Sequence, residues 1–300
     1  MRTFIKSIIP PNFLNYLRNK RVTIRRKKFE REMKRERVDV TGEEIKTKLI
    51  ELGIKPGDSL IVHSAMSQIG FIVGGADTVI DGFLKVLTEE GTLLMPAYPF
   101  RGTMVEYMKS DEIFDVLNSP SYMGRLTETF RNRPQCLRSL HPTHSVCALG
   151  KKSEWFVSGH ENSGSPAGKD SPFDKLVQDK GKIICFGSPL GHVTSYHVIE
   201  DKVKFPLPIY MEKIFSKEVI TAEAKKIIVN TKVHDPKVSK VRIDSNKKVE
   251  SEIEKILLAE GVLKKTQLGR GTIMLMDALE LEKSLERMLE NKMTIYGKIK

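Results

Sequence analysis

From residue 41 onward, apolar and polar positions fall into short blocks that read as strands separated by helices. Thr41-Gly42-Glu43-Glu44 has the pattern of a capping box opening a helix that runs to about Leu52, before a turn at Gly53 and Pro56-Gly57. SLIVHS, residues 59–64, is an apolar run bounded by turn residues and predicts a buried strand. The same reading gives helices over 77–88, 122–132 and 173–178, and strands over 91–96, 145–149 and 182–186. Residues 250–258 read as helix, 261–267 as strand and 274–289 as a long amphipathic helix. Residues 205–250 are polar and β-rich without clear periodicity, the mark of an insertion. Strands alternating with helices predict an α/β fold, a mixed sheet with flanking helices. No repeat or long linker interrupts it, so one catalytic domain is expected over 39–300, preceded by a segment over 1–38.

The chemistry concentrates in GSPLGHVTSYHVIED, residues 187–201, which follows the strand predicted at 182–186. Thr194, His197 and Glu200 are spaced by three. On a helix beginning at Thr194 they share one face. Thr194 would then be the N-cap, and His197 would lie in the first turn, where the helix dipole disfavours imidazolium. With a hydrogen bond to Glu200, the ring becomes a neutral general base. Open α/β sheets bind ligands beyond the carboxyl ends of their strands, which is where this segment begins.

Three other segments are candidates. His63 to Asp77 is a strand end, a loop with Gly70, Gly74 and Gly75, and a helix start. Backbone amides there can approach an anion such as a pyrophosphate, although the glycine spacing is that of neither a P-loop nor a dinucleotide fingerprint. In Arg138 to Ser145, His141 precedes a proline and is biased to extended backbone. The His141/His144 spacing on such a chain sends the rings to different faces and predicts no metal site. Residues 158–172 form a Gly/Ser/Pro-rich loop of a length typical of an active-site wall. Cys147 and Cys185 lie in apolar strands as inert thiols, and no GxSxG nucleophile motif is present.

Charge alters the picture only once it is located. The net charge is +12, but residues 1–37 alone carry +10. That tail admits three readings: a solvated helix whose apolar residues dock on the body, peripheral attachment to anionic lipid, and nucleic-acid binding. The last is disfavoured by the lack of interleaved aromatics. Three cysteines without CxxC spacing fit a reducing compartment. No run approaches the roughly 18 to 20 apolar residues of a membrane span, and the opening residues lack a signal-peptide pattern. The expected location is the cytoplasm, with the tail open to contact with the inner membrane face. The oligomeric state is not legible in this sequence.

Taken in order, HSAMSQIGFIVGGADTVIDGFLKVLTEEGTLLMPAY, MGRLTETFRNRP, RSLHPTHSVCALG, GKDSPFDKL and VTSYHVIED resemble the aminoglycoside 3-N-acetyltransferase, or antibiotic N-acetyltransferase, family over roughly 57–201. The resemblance implies that family's α/β fold, distinct from that of the commoner acetyltransferases. It implies transfer of an acetyl or other short acyl group from acyl-CoA to an amine of an amino sugar, without a metal. His63, Ser64, Ala65, Met66, Val73, Gly74 and Gly75 would line the acyl-CoA site. His197, Glu200 and Thr194 match the family's T-x-x-H-x-x-E segment and His141 its HP segment; His141 stands as an alternative base. His160, Ser171 and Asp201 are taken as substrate contacts. The acceptor is left as either an aminoglycoside or an anionic, nucleotide-linked amino sugar of envelope glycan synthesis. The last option follows from charge: residues 188–208 show no excess of carboxylates to receive a polycation. A non-catalytic protein binding nucleic acid or membrane through the basic tail is the alternative function.

Overall fold

The computed structural model describes residues 37–299, and residues 40–300 form a unit distinct from residues 1–39. The membrane and nucleic-acid expectations for the basic tail fall on residues 1–36, outside the described residues.

The larger unit is built on a seven-stranded mixed sheet. In chain order its strands are β1 (Ser59–Ser64), β2 (Thr92–Pro96), β4 (Leu137–Arg138), β5 (Val146–Gly150), β6 (Lys182–Phe186), β9 (Lys264–Leu268) and β10 (Gly271–Asp277). Across the sheet they run β9-β10-β6-β1-β2-β5-β4. Only β6, β1 and β2 are mutually parallel. Nearly every residue in them is buried, as a parallel strand covered on both faces requires. Alternate residues serve opposite layers: Ile61, Ile183 and Cys185 face one core, Leu60, Val62, Ile184 and Phe186 the other.

Helices α1 (Gly42–Leu52), α2 (Gly75–Leu87) and α4 (Arg125–Arg131) cover one face. The other is covered by α6 (Pro172–Gln178), α8 (Lys247–Ala259) and α9 (Ala278–Glu290). The capping box at Thr41 forms as predicted, Glu44 accepting from the Thr41 amide at 2.7 Å and the Thr41 hydroxyl from the Glu44 amide at 3.3 Å. Such a cap contributes about 1 kcal/mol.

Two expectations need correction. Residues 274–277, expected to open the last helix, instead end strand β10, which is hydrogen-bonded to β6 on one side and β9 on the other, and the helix starts at Ala278. A strand buried on both faces loses its period-two signal, and its apolar run merges with the helical pattern that starts at Ala278. The helix expected from residue 122 starts only at Arg125, because Gly124 at φ +114° breaks the chain direction.

The expected insertion is not a peripheral element. Strands β7 (Phe215–Ile220) and β8 (Lys226–Thr231) form a hairpin, and β3 (Phe114–Asp115) pairs with β7 in parallel. Phe114, Val116, Val219 and Val229 close a small core beneath them. The chain then runs back through residues 232–244 across the carboxyl ends of β2 and β6. No described helix is long and apolar enough to cross a membrane.

Candidate active site

The parallel strands β6, β1 and β2 end at one edge of the sheet. The segments leaving β2 (Tyr98 to Val105) and β6 (Gly191 to His197) enclose a cavity of about 470 Å³ there, together with residues 234–244. This is the crevice in which open α/β sheets hold ligands.

His197 sits on its wall. The segment Thr194–His197 is a 3-10 turn that runs into a five-residue helix, α7 (Val198–Lys202). Thr194 is therefore not an N-cap. Its hydroxyl lies 2.6 Å from that of Tyr98, which ties the β6 segment to the β2 segment. The helix-dipole argument falls with the cap, since a helix this short carries little dipole. The partnership with Glu200 holds: His197 Nδ1 is 2.8 Å from Glu200 Oε1.

Glu200 is the hub. Its side chain is fully buried, and its carboxylate accepts three hydrogen bonds. They come from His197, from the Tyr296 hydroxyl at 2.8 Å and from His234 Nε2 at 3.0 Å. Burial alone would raise its pKa, but His197 and the hydrogen bonds from both histidines overcome that and hold it at about 2. An ionised carboxylate only accepts, so His197 carries its proton on Nδ1. Nε2 is then the unbonded nitrogen of a ring that lines the cavity. Burial pushes His234 down, as does the His197 charge, against the pull of Glu200. Its Nδ1 is buried without a hydrogen-bond partner.

His197, Glu200 and His234 also bring ligand-type atoms within 4.8 Å of one another, the one such grouping found among the described residues. Both nitrogens facing Glu200 are its hydrogen-bond donors, so a cation could enter only by displacing those two protons.

The other predicted residues separate into two groups. His141 is fully buried behind the cavity wall. Its Nε2 bonds Thr231 Oγ1 at 2.9 Å and its Nδ1 accepts the His144 amide at 3.2 Å, so both ring nitrogens are in use. Burial lowers its pKa to about 3. In the HP segment it is His144 that lines the cavity, its ring 4.4 Å from that of Tyr98. His160 stacks on His141 at 4.6 Å and bonds Ser139 and the Pro166 carbonyl. Ser171 caps α6 through the Asp174 amide at 3.1 Å. Asp201 binds Ser165, Tyr210 and Lys232. His141, His160, Ser171 and Asp201 thus brace the wall from behind and are absent from the cavity lining.

The glycine loop adjoins the cavity without lining it. After β1, Ser64 bridges Gly187 at the exit of β6, and Ala65 and Met66 lead into a 3-10 turn. Burial, reinforced by the charge of His192, lowers His63 to about 3; His192 is itself on the cavity wall. Val73 is exposed, and Gly74 and Gly75 take φ of +83° and +70° at the start of α2. Space is open around Gly75, while a Cβ on Gly74 would lie 2.2 Å from Thr78 Oγ1. A loop of this shape can receive an anion.

His234, Tyr296, Tyr98, Arg242 and Asp244 escaped the reading of the sequence. No spacing links them to residues 194–200; the segment leaving β2 brings in Tyr98, and the fold of the 205–250 region and the residues near 296 bring in the others. Arg242 and Asp244 form a bidentate pair on the wall, both contacts at 2.9 Å.

A family model for aminoglycoside 3-N-acetyltransferase matches residues 61–290. The chain is 32% identical over 174 residues to the aminoglycoside N(3)-acetyltransferase IX of Micromonospora chalcea, covering 54% of this chain and 62% of that relative. It is 30% identical over 181 residues to an aminoglycoside N(3')-acetyltransferase-like protein, YokD, of Bacillus subtilis (strain 168), covering 55% and 66%. The matched stretch thus spans less than two thirds of either relative. In structure, the aminoglycoside acetyltransferase AAC(3)-Xa superposes with a TM-score of 0.74 over 90% of this chain and 98% of its own, at 25% identity. AAC-IIIb in binary complex with CoASH gives 0.71 over 85% and 97%, at 26% identity. With the sheet, the crevice and the family match over most of its length in agreement, the chain belongs to the aminoglycoside 3-N-acetyltransferase family.

Proposed function

We propose that this protein transfers an acetyl or other short acyl group from acyl-CoA to an amine of an amino sugar, with His197 as the general base. The observation that carries the reading is the hydrogen-bonded pair of His197 and buried Glu200 at the cavity wall, within a chain of this family. Glu200 fixes the Nδ1–H tautomer and orients the ring. Nε2 takes a proton from the amine as its nitrogen bonds to the thioester carbonyl carbon. The carbon–sulfur bond then breaks, and the departing thiolate is a good enough leaving group that no acyl-enzyme is needed. A positive charge on His197 is stabilised by Glu200, which lowers the barrier to proton removal. The acyl-CoA lies along His63 to Met66 and Val73 to Gly75, where the glycine backbone and the start of α2 suit its phosphates. The relative solved with CoASH supports that co-substrate, and the relatives named as aminoglycoside acetyltransferases support an amino-sugar acceptor.

Thiol release from acetyl-CoA, measured with a panel of amino sugars and confirmed by the mass of the acetylated product, tests the proposal. Amine-dependent thiol release is expected. Its absence with every amine, in a protein that melts cooperatively, would remove the enzymatic reading.

A further inference from the structure

Resting on the acyltransferase reading, we infer that the acceptor is an amino sugar bearing a phosphate group, seated with its anionic end on the wall formed by residues 232–248, rather than a polycation. A polycation needs carboxylates, and the cavity offers none that is free among the described residues. The one acid in its lining, Asp244, is held by both arms of the Arg242 guanidinium at 2.9 Å. Glu200 is buried and fully engaged by three donors. On the opposite wall, Glu106 is engaged in capping its own short helix through Thr103.

The wall itself is basic. Residues 232–248 hold six Lys/Arg against Asp235 and Asp244. Lys232, Arg242 and Lys247 are paired with carboxylates. Lys237 and Lys240 are exposed and have no ion-pair partner among the described residues, and they flank Pro236 and Ser239, which line the cavity. Deeper in, His234 Nδ1 is a buried acceptor with no partner. Because Nε2–H is given to Glu200, Nδ1 takes a hydrogen from a ligand, as a sugar hydroxyl would supply. The cavity thus offers an acceptor for a sugar hydroxyl at depth, a base beside it and unpaired cations at the rim. That order matches a sugar whose amine points to His197 and whose phosphate points out.

The test is calorimetric titration of the full-length protein with glucosamine 1-phosphate, UDP-glucosamine, glucosamine and the aminoglycoside neamine, repeated on a Lys237→Ser/Lys240→Ser variant. At least one phosphate-bearing sugar is expected to bind about tenfold tighter than glucosamine and tighter than neamine. The double variant should cut that preference roughly fivefold, and added salt should erode it too. The monophosphate and nucleotide arms distinguish the two sources of the phosphate. Tightest binding by neamine overturns the inference, and so does a double variant that loses acetyl-CoA affinity while keeping the preference for the phosphate-bearing sugar. Phosphate-dependent sugar binding without thiol release from acetyl-CoA would keep the anionic site and remove the acyltransferase reading, so the two can fail separately.

Discussion

Replacing Glu200 with glutamine removes a charge while keeping the shape of the hub. The carboxylate accepts from His197, His234 and Tyr296. A glutamine oxygen can accept two of these bonds, but its NH₂ then faces a third donor, or faces His197 Nδ1 and inverts the ring's tautomer. In the second case Nε2 carries the proton and cannot take one from the amine. Loss of an orienting carboxylate beside a catalytic histidine costs about 10² to 10⁴ in rate, or roughly 3 to 5 kcal/mol of barrier. Stability falls as well. A carboxyl held at about 2, against 4.5 in a free side chain, contributes on the order of 3 kcal/mol, present above the unfolded value and lost as pH falls through the folded one. The assay is steady-state thiol release at saturating acetyl-CoA alongside urea melts at neutral pH and at pH near 3. Glu200→Gln should lose kcat by at least a hundredfold and lose part of the acid-side slope of stability. A kcat within threefold of wild type, with the fold intact, would refute the reasoning that Glu200 sets the tautomer.

Other outcomes follow from the same geometry. His141→Ala should destabilise the fold by roughly 2 to 3 kcal/mol through a lost hydrogen bond to Thr231 and a cavity; the folded fraction should retain its turnover, read as rates corrected for the fraction folded in melts. His63 and His141 stay neutral in the fold with values near 3. The unfolded chain binds protons at these sites first, so stability is full above about pH 6.5 and declines as pH falls towards 3; His63→Phe should flatten that decline in urea midpoints taken from pH 7 to 4. A Cβ at Gly191 would lie 2.7 Å from Asp244 Cα, so Gly191→Ala should push the 242–244 segment outward and raise the acceptor KM more than the acetyl-CoA KM. Gly74→Ala meets Thr78 Oγ1 and a left-handed φ; its expected effect is the opposite split, on the acetyl-CoA KM.

The sequence revealed the sheet where the physics was local. The central parallel strands are unbroken apolar runs between turn residues, and the helices announce themselves by caps such as Thr41/Glu44. It misled at β10, where a doubly buried strand runs into a helix with Asp277 as the one polar residue between their apolar positions. In the site, Thr194, His197 and Glu200 were legible because three-residue spacing stays meaningful in a short helical turn. His141 looked equivalent to His197 because both are histidines beside a strand. Only burial and the occupancy of both ring nitrogens separate His141 from the proposed base, His197. His234 and Tyr296 could not be found by spacing at all, since both reach Glu200 through tertiary packing from 34 and 96 residues away.

The central claim is that His197 Nε2 removes a proton from the acceptor amine, and chemical rescue tests it most directly. In His197→Ala the cavity beside the missing ring is open to a small base, so amine-dependent thiol release should fall about a thousandfold and recover in proportion to added imidazole. Unchanged turnover in the variant, or a loss that imidazole leaves untouched while the protein remains folded and binds acetyl-CoA, would contradict it.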